Sequence, residues 1–453
     1  MFKMKKITLS LLALLLVMSF ASCASDTTSD LPLPSKDMKA YLQVKVTVEG
    51  SGDTRASRAT KGPQGGEEGD GREQGINHEN DVNSLTVLLY KSDKDDLSEA
   101  DAKIDYVYTF TGLKSSSSTG GVTYTTGPRE IDPVIVGKNY HVLVIANAGD
   151  MTSRCKGKKI SEIRDMQMDK VCTRNDVIAN FTDFVMSSKK DAKIDFSGKS
   201  GSGTGTESDP YMVDVNIERL AARIDIIPTA AFDGTSHGYY YNVMDGTNVI
   251  GGFKLESVTP TNVMTKGEYL IKRVSSDKAV SSVTYFGEEK MDATTKASTN
   301  YVVCPWTKDR TGLTLAEAEG PTSFYNVKET TSTSTTDPSY ILDYVMENTT
   351  TDNAEANSTG LIFKGKYYES SEWDAATKQP KAGFAGAEKK YTYTLRHSDP
   401  SGSGTTADPM HFGVVRNNIY QVKVEGVEGK SKGIKLTIHV VPWAHYDHGE
   451  VIY

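Results

Sequence analysis

Residues 41–49 alternate with period two: Leu42, Val44, Val46 and Val48 are apolar, and Gln43, Lys45, Thr47 and Glu49 between them are polar. Only an extended strand puts such a set on one face. A lone strand is not stable in water, so the chain must build a sheet with an apolar interior around it. Strand-like runs recur at Ser84–Tyr90, Tyr106–Leu113, Val122–Thr126, Tyr140–Ala146 and Val213–Ile227. Past Pro228 they resume at Tyr239–Val243, Gly252–Leu255, Val283–Phe286, Tyr301–Cys304, Leu361–Tyr368, Tyr391–Leu395, Phe412–Val424 and Ile434–Trp443. One short helix is expected at Ser161–Val171, capped by Ser161, with Ile163 and Met166 on one face. Recurring strands with turn-rich connections predict an all-β protein made of sandwiches.

A weak internal echo suggests two similar halves. Ser202-Gly203-Thr204 followed by Asp209-Pro210 returns as Ser403-Gly404-Thr405 followed by Asp408-Pro409, and each leads into a strand with an arginine, Arg219 or Arg416. A boundary near Pro228 follows, giving domains over 39–228 and 229–453. The chain is long enough for both to have real cores.

The amino terminus states a destination. Lys3, Lys5 and Lys6 precede an apolar or small run from Ile7 to Ala21, closed by Ser22-Cys23. The run is too short to span a bilayer and reads as an export signal over 1–22. Cys23 in this setting resembles the lipidated first residue of a mature bacterial lipoprotein, with 23–38 as a tether. The remaining cysteines are Cys155, Cys172 and Cys304. Three cannot form a disulfide framework, although Cys155 and Cys172 could close one loop. With 51 basic and 59 acidic residues the chain is mildly acidic, which argues against a nucleic-acid partner.

Residues 51–75 hold eight glycines or prolines among charges and no apolar run, with Arg55 and Arg58 close together and Arg72 near the far end. Such a segment is expected to be exposed and open to proteases. At the other end of the chain, Ile434, Leu436, Ile438 and Val440 copy the spacing of the first strand, and the tail closes on Val451-Ile452-Tyr453.

Catalytic patterns are missing. Gly198-Lys199-Ser200 ends like a phosphate loop, but Lys193 stands where its first glycine is required. Neither a Gly-x-Ser-x-Gly elbow nor a His-Glu-x-x-His pair occurs. His439, His445 and His448 with Asp447 form a dense histidine cluster, but a strand and a terminal tail imply no ligand geometry, so no metal and no cofactor are expected. Asp93, Asp95 and Asp96 read as a solvated turn.

Taken in order, these pieces resemble the fimbrillin family, the shaft subunits of protease-assisted (type V) pili. The signal, the separable first strand, the arginine-bearing loop and Ser84–Tyr90 carry the likeness, as do Tyr140–Asn147, Glu218–Asp225, Arg416–Tyr420 and Leu436–Trp443. The resemblance implies two transthyretin-like β-sandwich domains in tandem and a structural, non-enzymatic role. It implies export to the outer membrane through lipid on Cys23, then cleavage by an arginine-specific protease after Arg55 or Arg58. The removed strand, with Leu42, Val44, Val46 and Val48, would leave a groove for a neighbouring copy's C-terminal strand. The expected product is a linear homopolymer with anchor and tip subunits, supporting adhesion and biofilm formation.

The energetics agree with such an exchange. Stripping four aliphatic side chains at ~1.5–3 kcal/mol each, and ladder hydrogen bonds at ~1 kcal/mol each, leaves a vacancy worth on the order of 10 kcal/mol. A strand of matching alternation recovers most of it by adding at the exposed edges. Two donors remain open: Ile434, Leu436, Ile438 and Val440 themselves, or the tail with Val451 and Ile452 if Ile434–Trp443 is the last core strand of its own domain. An anchor or tip subunit, or a surface glycan-binding lipoprotein, are the alternative functions; the last needs exposed aromatic platforms, and Trp306, Trp373 and Trp443 are scattered along the chain.

Overall fold

The computed structural model describes residues 39–48, 73–74, 77–91, 101–118, 121–164, 166–174, 181–188, 191–197, 203–230, 239–261, 263–264, 267–270, 272–274, 283–285, 315–316, 340–349, 359–396, 413–429 and 433–444. Cys23, Arg55, Arg58, Cys304, Trp306, His445, His448, Val451 and Ile452 lie outside them, as do the acidic run at 93–96 and the expected strand Tyr301–Cys304.

Two sheet systems make the protein all-β, as expected; the first core continues into residues of the second half such as Leu270, Tyr344 and Ile419, and a second core fills the other system. The first has ten strands: β1 (Ala40–Val48), β2 (Ser84–Tyr90), β3 (Ile104–Thr111), β4 (Lys114–Ser118), β5 (Gly121–Thr125), β6 (Arg129–Ile131), β7 (Asn139–Ala146), β8 (Met186–Ser188), β9 (Ala192–Asp195) and β10 (Tyr211–Arg219). Its main path runs β3-β2-β7-β8-β10-β1-β5-β4, with β6 also on β1 and β9 on β7. The neighbouring strands β2 and β7 are buried on both faces along nearly their whole length, which is why their sequences are mostly apolar without alternation.

The second system has nine strands. They include β11 (Ala221–Pro228), β12 (Tyr239–Asp245), β13 (Asn248–Thr261), β14 (Tyr340–Met346), β15 (Gly360–Glu369), β16 (Ala387–Thr394), β17 (Asn418–Glu428) and β18 (Gly433–Ala444). The path is β18-β17-β12-β13-β15-β16, and β11 joins β17 to β14. The ninth member is Glu73–Gln74, parallel to Trp443–Ala444 at the free side of β18. That short pairing corrects the expectation that all of 51–75 is an exposed loop.

The run expected as Val213–Ile227 is two strands in different sheets. The chain changes sheet at Leu220, whose N–H is held by the Val185 carbonyl at 2.9 Å, a strand earlier than the boundary expected at Pro228. Beyond it, Ala222, Ile224 and Ile226 face the second core, while Arg223 and Asp225 are buried on the opposite face. Phe412–Val424 is likewise broken, at Asn417, which takes the left-handed conformation (φ 57°) that asparagine tolerates.

The helix expected over Ser161–Val171 covers only Ile160–Arg164, because Gln167–Met168 is drawn into a pairing with Gly267–Glu268 from the second half. Ile163 is buried and Met166 packs on the core, as the spacing implies. Cys155 and Cys172 are not bridged. Burial pushes the Cys155 thiol up to about 11, so it behaves as an apolar filler.

Candidate functional site: the first-strand slot and the seam beside it

Strand β1 occupies the interior of its sheet. On one side it runs parallel to β10, in register from Leu42↔Tyr211 to Val48↔Ile217. On the other it runs antiparallel to β5 over Lys45–Val48 and to β6 over Ala40–Leu42. Thr126 bridges the break between those two partners: its N–H donates to the Val44 carbonyl at 3.0 Å, and its hydroxyl accepts from the Val44 N–H at 3.0 Å. The Gln43 amide adds a bond to the Thr126 carbonyl at 2.7 Å. Leu42, Val44, Val46 and Val48 are each 0% exposed, and the intervening side chains are half-buried. The alternation read from sequence is therefore the actual division between core and outer face.

The start of β1 is tied down by the first of the two echo loops. Gly205 accepts a bond from the Tyr41 N–H at 2.9 Å. Asp209 fixes that loop through the Thr204 N–H at 3.0 Å and the Thr204 hydroxyl at 2.8 Å. Gly203 and Gly205 have φ of 87° and 82°, and a Cβ on Gly203 would meet the Pro210 carbonyl oxygen at 2.0 Å. Here glycine is a geometric requirement.

The far end of β10 reaches the seam between the two sheet systems, where the echo arginines lie. Arg219, 0% exposed, donates through Nε to the Glu79 carbonyl at 2.8 Å, through Nη1 to Asn417 Oδ1 at 3.1 Å, and through Nη2 to Asn80 Oδ1. Arg223 forks onto Asp225 at 2.9 and 2.8 Å and reaches the Glu79 carboxylate at 3.1 and 3.2 Å. Tyr344 donates its hydroxyl to the same carboxylate. Burial lowers the Arg219 guanidinium to about 10, still a cation at neutral pH. Burial also acts against Arg223, but the carboxylates of Asp225 and Glu79 outweigh it and hold the group well above its ordinary value. Arg416 closes the other side of the seam on Glu347 at 3.0 Å and on the Glu268 carbonyl at 3.0 Å. Sequence showed Arg219 and Arg416 as an echo but not as buried. It did not single out Glu79, whose only signal was an acidic residue just before the Ser84 run.

The C-terminal candidate strand is seated in its own chain. β18 pairs antiparallel with β17 from Ile434↔Val427 to Pro442↔Asn418, and Ile434 and Leu436 pack against the second core. Ile438, Val440 and His439 fall within the same strand. Among the described residues there is no cluster of His, Cys, Asp and Glu able to hold a metal.

The indole of Trp373 is no sugar platform. It is 3% exposed, packs with Tyr240 and Tyr368, and donates from Nε1 to Asn242 Oδ1 at 2.8 Å.

Two family models match this chain. Residues 40–219 match the major fimbrial subunit protein (FimA) model, and residues 383–439 match the C-terminal fimbrillin model of the type IV major fimbrial subunit protein. The first match begins with β1 and ends on Arg219. The chain belongs to the fimbrillin family. No curated protein matches it.

Among solved structures, this fimbrillin is similar to a putative cell adhesion protein from Parabacteroides distasonis, at 16% identity, over 90% of this chain and 99% of the other, with a TM-score of 0.49. It is also similar to two proteins of Porphyromonas gingivalis. The tip fimbrial protein Mfa3 matches at 13% identity over 90% of this chain and 100% of the other, TM-score 0.37. A fimbrilin matches at 13% identity over 90% and 99%, TM-score 0.37. Membership makes the chain a fimbrial subunit of an adhesion-protein family and implies an extracellular pilus location. No helix among the described residues is long and apolar enough to cross a membrane.

Proposed function

We propose that the protein is a pilus shaft subunit, exported as a lipoprotein on Cys23 and activated by losing β1. The observation that carries this reading is the placement of β1. It is central to its sheet and fully buried on one face, yet it precedes a glycine-rich, charged stretch containing Arg55 and Arg58. A protease cutting after either arginine separates the strand from the body. Its departure exposes the edges of β10 and β5 together, a two-sided slot that an incoming strand can fill by pairing on both sides.

The donor in this reading is the C-terminal strand of another copy. Ile434, Leu436, Ile438 and Val440 repeat the spacing of Leu42, Val44, Val46 and Val48. Among the described residues, β18 is bound on one side by β17 and on the other at Trp443–Ala444 alone, so it can leave as an edge strand without opening the rest of its sheet. The tail with Val451 and Ile452 is the second donor. The product is a non-enzymatic linear homopolymer, joined to anchor and tip subunits, that supports adhesion. Residues 1–22 are the signal, 23–38 the tether, and the two sandwiches are its rod-forming units.

The amino-terminal sequence of assembled fibres tests this. It is expected to begin at Ala56 or Ala59. Fibres whose subunits retain 41–49 would sink the proposal.

A further inference from the structure

The seam places one short turn where three parts of the molecule meet. Asn77–Asn80 is a single 3-10 turn, and Glu79 within it is 1% exposed. Its carbonyl holds Arg219, the last residue of β10. Its carboxylate holds Arg223 on β11 and accepts from Tyr344 on β14. Asn80 holds Arg219 as well. The ring of Tyr344 in turn lies edge-on to Phe181 and Phe184 of the first half, at 4.6 and 4.7 Å.

Four buried charges face one another here, Arg219 and Arg223 against Glu79 and Asp225, at 0%, 4%, 1% and 3% exposure. Glu79 is the member contributed from before β2; the other three sit on β10 and β11. Taking its charge away leaves two buried guanidiniums against one carboxylate, the situation in which a buried ion cluster becomes strongly destabilising.

The turn is fixed from its other side too. The Asp81 N–H donates to the His78 carbonyl at 3.2 Å, and the His78 ring meets Asp81 at 2.6 Å. Asn147 on the far side of β7 donates to the Asp81 carbonyl at 2.7 Å. Each of these named partners lies outside β1, and the turn follows Arg55 and Arg58 in the chain.

We propose that Asn77–Asn80 is a keystone: it locks the two sheet systems together through Glu79 and keeps them locked once β1 is gone. The slot can then empty and refill while the rest of the subunit transmits force as one body. The idea rests on the reading that β1 is removed. Its physical content is that the wall of the slot, β10, is anchored at Arg219 by a segment that processing leaves in place.

Amide hydrogen exchange on the full chain tests it, with a site-specific protease sequence placed within residues 61–66 so that cutting does not depend on the natural enzyme. In the wild-type chain, cutting is expected to speed exchange over Leu42–Val48 and Val213–Ile217 while Ala221–Asp225 stays within about twofold of the uncut value. In Glu79→Gln, exchange over Ala221–Asp225 is expected to rise about a hundredfold or more, cut or uncut, because a charge balance is lost. Tyr344→Phe removes one hydrogen bond and no charge, so it gives the same result in milder form, about tenfold, if Glu79→Gln does not fold.

A seam that opens in cut wild type together with the slot overturns the keystone. So does a Glu79→Gln or Tyr344→Phe seam as protected as wild type. Cut chains in which Leu42–Val48 stays fully protected count against the processing reading; the keystone then stands or falls on the uncut pair.

Discussion

Val46 lies directly opposite Val215 in a parallel pairing, and both side chains are buried, at 0% and 2% exposure. The contact joins a strand near the start of the chain to the strand that carries Arg219 into the seam. This adjacency brings the slot and the seam onto one element, β10.

The strand should tolerate change on one face only. Val46→Asp puts a carboxylate into the core and is expected to cost on the order of several kcal/mol, enough to unfold the precursor or sharply lower its melting temperature. Lys45→Ala, on the other face, removes a largely exposed pair with Asp214 at 3.7 Å and should stay within about 0.5 kcal/mol. Thr126→Val keeps the shape but strands the buried Val44 N–H, at about 1–3 kcal/mol. Thermal melts of the three variants decide the matter; equal effects at positions 45 and 46 would show that the strand is not seated as described.

Trp373 rests on a bare backbone. A Cβ built on Gly252 would come within 1.9 Å of the indole ring, so Gly252→Ala must push the ring away from Tyr240 and Tyr368. The expected outcome is a red-shifted, weaker indole emission and loss of at least about 1–3 kcal/mol. A variant with unchanged fluorescence and melting temperature would mean that the ring sits elsewhere.

Alkaline pH should destabilise the fold through its tyrosines. Burial pushes Tyr108 and Tyr391 up to about 12 and raises Tyr344 and Tyr420 further. Unfolded tyrosines ionise near about 10. Between those values the unfolded chain has lost protons that the native chain keeps, so the native state binds more and stability falls as pH rises. It is fully present below about pH 10. The urea midpoint should decline between about pH 10 and about pH 12, with phenolate absorbance appearing in step with unfolding; a flat midpoint would contradict the burial of these rings.

Strands whose two faces differ, β1 above all, were legible because one residue in two is apolar. Tyr340–Met346 was missed for the opposite reason: Ile341 to Met346 are all buried, so the run shows no period. The short strands Lys114–Ser118, Arg129–Ile131, Met186–Ser188 and Ala192–Asp195 were missed because they carry little apolar signal and are held by neighbours.

The sequence by itself determined that the protein is β-built and that Leu42, Val44, Val46 and Val48 share one face of a strand. Local periodicity suffices for each, since the physics is that of a single strand. Tertiary structure decided the rest. It made β1 an interior strand beside β10, turned one long apolar run into two strands of different sheets at Leu220, and gathered Glu79, Arg219, Arg223 and Tyr344 across sequence separations that no local pattern spans. A buried charge is tolerable only where its partner is, and which partner arrives is a property of the assembled fold.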